Sequence, residues 1–141
     1  MISRRCVVRM KIPFPSINSR LAVLAHMYIC RQADSPRYEF VKCQTLKPYM
    51  LTGNTIRHFW DEEADIARNP FTHTTRIDCD KTFRTTTVEY DDRSLTISRR
   101  DVCEEIIFHV EEELQADGFS IIALNEDELV SINALITKLS F

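Results

Sequence analysis

The chain has neither a long apolar run nor a paired-cysteine motif, and both absences limit what it can be. A membrane-spanning helix needs about 20 consecutive apolar residues, and no run in the 141-residue sequence approaches that length. The basic start at residues 1–5 is not followed by the apolar stretch and small-residue cleavage site of a signal peptide. We therefore expect no transmembrane helix, no signal peptide and no membrane partner.

The five cysteines are odd in number and widely spaced, and no two of them form a Cys-x-x-Cys pair. Four lie in apolar runs, where a free cysteine behaves as a small buried hydrophobic residue. This pattern favours buried structural thiols over a metal site or redox chemistry. We expect a cytoplasmic chain with no metal and no cofactor. The cysteines are Cys6, Cys30, Cys43, Cys79 and Cys103.

Internal repeats and low-complexity segments are also absent. The apolar content of 44% and the charged content of 28% are those of an ordinary soluble globular protein. The length suits one domain spanning residues 1–141, which is enough chain to bury its own core.

The net charge of -3 is divided unevenly along the chain. Residues 1–60 carry ten Lys or Arg against Asp34 and Glu39, whereas the remainder carries eight basic and nineteen acidic side chains. Such asymmetry suggests a polyanion-binding face on the first half. The alternative is that the two halves interleave in space and neutralise each other.

Three stretches in the first half resemble strands. Residues 6–12 alternate apolar and basic side chains over the second half of the stretch, which is typical of a half-buried strand. Residues 21–30 are nearly all apolar and predict a central strand with His26 in the core, although periodicity alone does not exclude a helix. Residues 38–43 alternate again, and the turn at 32–37, which contains Asp34-Ser35-Pro36, predicts a hairpin with the preceding run.

The middle of the chain gives weaker signals. Gly53-Asn54 predicts a turn, and residues 61–68 predict two helical turns. Residues 57–60 mix basic and aromatic side chains, as a base-stacking surface does. The alternative is that the aromatic rings of this segment pack in the core. Residues 75–90 are rich in threonine and predict strands.

The last third predicts two helices separated by a short strand at 119–124. Ser98 resembles an N-cap, and an apolar residue then recurs every four positions until Asp117-Gly118 ends the helix. Asn125 begins a second capped segment, whose apolar stripe buries against the rest of the fold or against a second copy. The two stripes are Val102, Ile106, Val110 and Leu114, and Leu129, Ile132, Ile136 and Leu139.

Strands followed by helices predict an α+β fold with a small barrel, and three segments also resemble a known family. Residues 19–24 (Ser-Arg-Leu-Ala-Val-Leu) occupy the place of the Arg-Pro-apolar strand of the MazF/PemK/Kid toxin ribonucleases. Residues 41–45 (Val-Lys-Cys-Gln-Thr) resemble that family's next strand, and residues 77–80 (Ile-Asp-Cys-Asp) resemble its Arg-Cys-Asp segment. The resemblance implies a small SH3-like antiparallel β-barrel with C-terminal helices.

The resemblance also implies a function. Members of this family are dimeric, metal-independent endoribonucleases of type II toxin–antitoxin pairs, which cut single-stranded RNA at short sequences and leave a 2′,3′-cyclic phosphate. The implied partners are single-stranded RNA, a cognate antitoxin and a second copy of the chain. By position, Arg20 corresponds to a phosphate clamp and possible acid, and Thr45 and Asp80 correspond to the family's threonine and aspartate. Cleavage of this kind needs a base, an acid and cations that stabilise the phosphorane.

The sequence departs from the family pattern near these positions. Asp78 stands where the family has an arginine, and Arg76, on the same strand face by the period of two, is the candidate to replace it in the catalytic set. Leu21 replaces the family's proline, and the loop at 13–19 contains no histidine, so His73 is the candidate for a moved base. The resemblance assigns RNA contacts to Ser19, Gln44, Lys47, Asp78, Lys81 and His73.

Three of the four proposed catalytic residues have a structural alternative. Arg20 can pair with an acidic group of the second half, Thr45 can be an ordinary strand-end threonine, and Asp80 can cap a turn. The functional alternative is a non-catalytic module of the same fold, which binds RNA or a protein target as the related CcdB toxins bind gyrase. An accessory subunit without activity of its own is a third possibility.

Overall fold

The computed structural model describes residues 2–52 and 56–140. Within these ranges the chain forms nine strands, three α-helices and two short 3-10 helices at Pro48–Leu51 and Asp92–Ser94. The helices are α1 (Arg20–Val23), α2 (Glu104–Asp117) and α3 (Glu126–Ser131). The strands are β1 (Val7–Met10), β2 (His26–Asp34), β3 (Arg37–Thr45), β4 (Phe59–Glu62), β5 (Thr75–Asp78), β6 (Lys81–Thr85), β7 (Val88–Tyr90), β8 (Ser120–Ala123) and β9 (Ile136–Lys138).

The hairpin of β2 and β3 is the centre of a seven-stranded, mostly antiparallel sheet. One side of β3 pairs with β2. The other side pairs with β6 along the first half of β3 and with β5 along the second half. Strand β4 continues the sheet beyond β5, and β8 continues it beyond β6 in the parallel direction. Strands β7 and β9 form a separate two-stranded sheet.

The α+β class is confirmed, but the expected barrel is wrong for the part of the chain that the structure describes. The sheet runs from β1 to β4 as an open path with β6 and β8 branching from β3, and its ends do not join. The outer edge of β1 is covered by an irregular segment through the bridges Val8↔Leu95 and Cys6↔Asp101. A covered edge needs no further strand to satisfy its hydrogen bonds, so the sheet has no need to close.

Hydrophobic cores lie on both faces of the sheet, because side chains alternate between the faces along each strand. The first core contains Tyr28, Phe40 and Phe83 and is closed by β7, β9 and α3. The second core contains Ile29, Val41 and Ile77 from the strands and the buried face of α2. The predicted stripe of α2 is confirmed, since these four residues are fully buried: Val102, Ile106, Val110 and Leu114.

The ends of α2 show one correct and one wrong prediction. The helix ends at Gly118, which adopts φ 77° and ψ 174° as its C-cap. This conformation is open almost exclusively to glycine. The predicted start at Ser98 is wrong, because the N-cap is Cys103 and the segment before it lies along the edge of β1.

Three other predicted elements differ from the structure. The apolar run at 21–30 is not one strand, because α1 takes its first residues and β2 begins at His26. Residues 61–68 begin as the end of β4 rather than as a helix. Asn125 does cap α3 and accepts a hydrogen bond from the Glu128 amide, but α3 is short and Ile136 belongs to β9. The predicted turn at Gly53-Asn54 lies outside the described residues.

The predicted hairpin and the short strand near residue 120 are both present as β2–β3 and β8. Within residues 2–52 and 56–140, no helix has the length and apolar character needed to cross a membrane.

Candidate functional site

Two adjacent clefts open where β2 begins and β3 ends. His26, Gln44 and Thr45 line both, so the clefts are neighbours. No Asp or Glu is among the described residues that line them. The first, the cationic cleft, is lined by Arg20, Leu21, His26, Lys42, Gln44, Thr45, Lys47, Tyr49 and Met50. The second, the Phe71 cleft, is lined by Arg9, Ala25, His26, Met27, Cys43, Gln44, Thr45, Phe71, Thr72, His73 and Thr75.

Helix α1 places Arg20 at the cationic cleft. The turn before the helix is held by Ser19, whose hydroxyl donates to the Phe14 carbonyl at 2.6 Å. Ala22 is buried and Leu21 packs against the first core, which anchors the helix on the sheet. Arg20 is exposed and has no hydrogen bond or ion pair with any described side chain. Its guanidinium is therefore available to an external anion.

Strand β3 supplies Lys42 to the floor of the cationic cleft. Lys42 is half-buried, and its Nζ donates to Oε1 of Gln44 at 2.9 Å. Burial lowers the pKa of Lys42, the carboxylate of Asp78 opposes this effect, and the charges of Lys81 and Arg20 add to it. A lysine with a lowered pKa gives up its proton more readily than an exposed one.

His26 also lines the cationic cleft, so its predicted place in the core is wrong. The imidazole is half-buried, and its Nδ1 lies 3.0 Å from the carbonyl oxygen of Leu24. Burial lowers the pKa of His26, the hydrogen bond to Leu24 opposes this, and the charges of Lys42 and Arg20 lower it further. At neutral pH the ring is therefore neutral.

Four residues assigned by the family resemblance meet at the cationic cleft: Arg20, Gln44, Thr45 and Lys47. His73 lines the Phe71 cleft next to Thr45. Ser19 lies beside Arg20, and its hydroxyl is occupied by the bond that holds the turn. The structure thus brings five of the ten predicted site residues to the two adjacent clefts.

Arg76 lies behind the clefts in a network of its own. Its Nε and Nη2 each donate to Asp61 at 2.8 Å, and its Nη1 donates to the Met50 carbonyl at 2.9 Å. The guanidinium carbon lies 3.6 Å from the centre of the Phe59 ring. Arg76 is buried and lines neither cleft. It holds the 3-10 helix of Met50 against the sheet.

Asp80 and Asp78 shape the turn between β5 and β6. Asp80 accepts the amides of Arg57 and His58 at 2.7 and 2.9 Å, which fixes the entry to β4. Asp78 is buried and accepts the Asp80 amide at 2.8 Å and the Lys81 ammonium at 3.2 Å. Asp78 therefore caps the turn between β5 and β6, whereas the Asp80 carboxylate holds the amides before β4, so Asp80 has a structural role other than the expected turn cap. Asp78, Asp80 and Lys81 line neither cleft.

The basic and aromatic segment at 57–60 packs against α2. Trp60 stacks on His109 with ring centres 3.8 Å apart and an angle of 7° between the planes. The Trp60 Nε1 donates to Glu62 at 3.1 Å, and Phe59 lies under the Arg76 guanidinium. These rings serve packing, as the alternative interpretation predicted.

The thiols show no feature of a reactive or metal-binding set. Cys30, Cys43 and Cys79 are buried, and burial raises the pKa of Cys30 to about 12 and also raises that of the other two. Among residues 2–52 and 56–140, no three His, Cys, Asp or Glu side chains are grouped to hold a metal ion.

Comparison with known protein families, with curated proteins and with solved structures gives no match for the chain.

Proposed function

We propose that the chain is a metal-independent endoribonuclease that binds single-stranded RNA in the cationic cleft, as the MazF/PemK/Kid-like toxins of type II toxin–antitoxin systems do. The observation that carries the proposal is the charge of the cleft lining. Arg20, Lys42 and Lys47 line it without a carboxylate, although the chain as a whole has a net charge of -3. Such a local excess of positive charge attracts a phosphate backbone.

His26 supplies the base in this proposal. A carbonyl oxygen accepts hydrogen bonds and cannot donate them, so Nδ1 of His26 carries the proton in the bond to Leu24. In the neutral ring the lone pair then lies on Nε2. The lowered pKa keeps Nε2 unprotonated at neutral pH, which is the state that takes the proton of a ribose 2′-hydroxyl.

Lys42 and Arg20 supply the acid and the electrostatic stabilisation. The 2′-oxygen attacks phosphorus, the bond from phosphorus to the 5′-oxygen breaks, and the products are a 2′,3′-cyclic phosphate and a 5′-hydroxyl. Lys42, with its lowered pKa, gives a proton to the departing 5′-oxygen. Arg20 and Lys47 face the negative charge that develops on the phosphorane oxygens.

Tyr49 favours a single strand as the substrate. It lines the cleft from the 3-10 helix and is 70% exposed. An exposed aromatic ring beside a cationic groove stacks on an unpaired base. Bases inside a duplex are not open to such stacking.

The partners of the proposal follow from the same surface and from the family resemblance. Val23 and Leu24 lie in the chain between the lining residues Leu21 and His26, and Leu51 follows the lining residue Met50. All three side chains are more than half exposed. Cations between apolar side chains fit an acidic segment with apolar residues, which is the chemistry proposed for a cognate antitoxin. The homodimer stays a prediction of the resemblance, and the cytoplasmic location stays a prediction from the cysteine pattern.

The test is incubation of the purified protein with a long single-stranded RNA in EDTA. We expect discrete fragments with 2′,3′-cyclic phosphate ends, and their loss in Arg20→Ala. Arg37→Ala is the matched control, because Arg37 is also exposed but begins β3, at the opposite end from Thr45. Expression of the wild type is expected to arrest growth, and Arg20→Ala to relieve the arrest.

A non-catalytic RNA-binding module is the second candidate. It is favoured by the positions of Arg76 and Asp80, two of the four residues assigned to catalysis, which make structural contacts outside the clefts. RNA that is bound at the cleft and stays intact in EDTA would establish this candidate. RNA that is neither bound nor cut would overturn both.

A further inference from the structure

The Phe71 cleft has the size of a single aromatic ring. Its volume is about 160 Å³. An engineered protein cavity of about 150 Å³ holds one benzene molecule. The cleft shares His26, Gln44 and Thr45 with the cationic cleft, so the two clefts meet where β2 begins and β3 ends.

The inner wall of this cleft is apolar. Met27 and Cys43 are opposite each other on β2 and β3, and their side chains belong to the second core. Phe71 adds an aromatic ring and is 7% exposed, so its orientation is held by the core. A flat apolar wall with a fixed ring matches the face of a nucleobase.

The rim of the cleft is polar and carries no carboxylate. Thr75 is occupied, because its hydroxyl donates to the His73 carbonyl at 2.9 Å. The side chains of Thr45, Thr72 and His73 make no hydrogen bond to any described residue. A hydroxyl both donates and accepts, so this rim suits the edge of a base that presents donors and acceptors together.

We infer that the Phe71 cleft binds one pyrimidine base of an RNA strand whose phosphate lies in the cationic cleft, and that it sets the base preference of the protein. The inference rests on the proposed RNA binding. A pyrimidine has one ring and fills the volume of the cleft, whereas a purine has two. Because hydroxyls adapt to either pattern, the rim accepts both uracil and cytosine.

Arg9 extends the site towards the backbone. It is exposed on β1, opposite Met27, and has no ion pair with a described residue. Arg9 lines the Phe71 cleft but not the cationic cleft, which Arg20 and Lys47 line. It is placed to contact the phosphate that follows the bound base.

The test is fluorescence anisotropy with labelled 12-nucleotide oligo(U), oligo(C) and oligo(A) at one salt concentration. We expect the two pyrimidine oligomers to bind about tenfold tighter than oligo(A). Thr72→Phe fills the cleft from an exposed rim position and is expected to remove this preference. Thr74→Phe is the control, because Thr74 is also exposed but lines neither cleft. Equal affinity for the three oligomers, or a preference that survives Thr72→Phe, would overturn the inference.

A second measurement separates this inference from the proposed endoribonuclease. Amide chemical shifts of Thr45, Thr72 and His73 are followed by NMR during titration with UMP and with AMP. Shifts caused by UMP and not by AMP support the base site, even where no RNA is cut. The absence of shifts with both nucleotides overturns the base site, and RNA cleavage without base preference would then leave the enzyme proposal standing alone.

Discussion

The Nδ1 atom of His26 lies 3.0 Å from the carbonyl oxygen of Leu24, two residues earlier in the chain. The bond links the first residue of β2 to the segment that leaves α1, so the ring is held in the lining of the cationic cleft. It also assigns the proton to Nδ1 and leaves Nε2 as the acceptor. Burial and two neighbouring cations keep the ring neutral.

Cleavage should therefore retain its rate at pH values below the ordinary histidine pKa of about 6.5. Since the pKa of His26 is lowered, the base accepts its proton only at more acidic pH, and kcat/KM falls there. His26→Gln should lower kcat/KM by about 100- to 10,000-fold and remove this acid limb. Profiles of kcat/KM against pH for the wild type and for His26→Gln measure both effects. An acid limb that persists in His26→Gln and disappears in His73→Gln would transfer the role of base to His73.

The contacts of Arg76 predict a large effect on stability. Arg76→Met leaves the Asp61 carboxylate and the Met50 carbonyl without their donor. The expected loss in the free energy of unfolding is about 1–3 kcal/mol, because the Met50 carbonyl and the half-buried Asp61 carboxylate both lose the donor that satisfied them. Urea denaturation measures it.

Arg93→Met is the matched control for this experiment. Arg93 also donates two bonds to one aspartate, Asp91, at 3.1 and 2.9 Å, but its side chain is 76% exposed. Solvent screens such a pair, so the expected loss in the free energy of unfolding is clearly smaller than in Arg76→Met. Equal losses in the two variants would contradict the structural role given to Arg76.

The sequence predicted best where an apolar pattern was long. The four residues spaced from Val102 to Leu114 are all buried as expected, although Val102 precedes the helix and only the other three lie on α2. The pattern at 21–30 is equally apolar, yet it divides into α1 and β2. Short apolar runs fit a helix and a strand alike, and packing decides between them.

The site was predictable only in part, for a related reason. Arg20 and Thr45 were assigned from short motifs and do meet at one cleft. His26 was placed in the core because its neighbours are apolar, although it begins its strand beside a cleft. Because His26 is two residues from the buried Tyr28, the sequence predicts that both side chains lie on the same face of the sheet. It does not predict how far along that face the neighbouring elements bury the strand. The extent of that burial is a tertiary feature.

Gly118 offers a test of the helix end. It has φ 77° and ψ 174°, and a Cβ added there would meet nothing within 4 Å. Gly118→Ala should therefore lower stability through the strained backbone conformation and not through a clash with another residue. The expected loss in the free energy of unfolding is about 1–3 kcal/mol. Gln115→Ala, at an exposed position of the same helix, is the control and should change stability by about 0.5 kcal/mol or less. A loss in Gly118→Ala no greater than this would contradict the assigned backbone conformation.

Salt dependence tests whether the clefts hold the phosphates. The proposed RNA complex places phosphates at four cations, Arg20, Lys42 and Lys47 in the cationic cleft and Arg9 in the Phe71 cleft. Each such contact is worth a slope of about -0.7 in log K against log salt for a single strand. Wild-type binding should show a slope of about -2.8, and Lys47→Gln should weaken it by about 0.7.

The control for this measurement is Lys138→Gln. Lys138 lies on β9, where its Nζ pairs with Asp127 at 2.9 Å, and it lines neither cleft. Because its charge is already compensated and lies outside the clefts, removing it should leave the slope unchanged. The slopes come from anisotropy titrations of oligo(U) between about 50 and 200 mM salt. A slope that responds to Lys138→Gln as strongly as to Lys47→Gln would place the phosphates elsewhere on the surface.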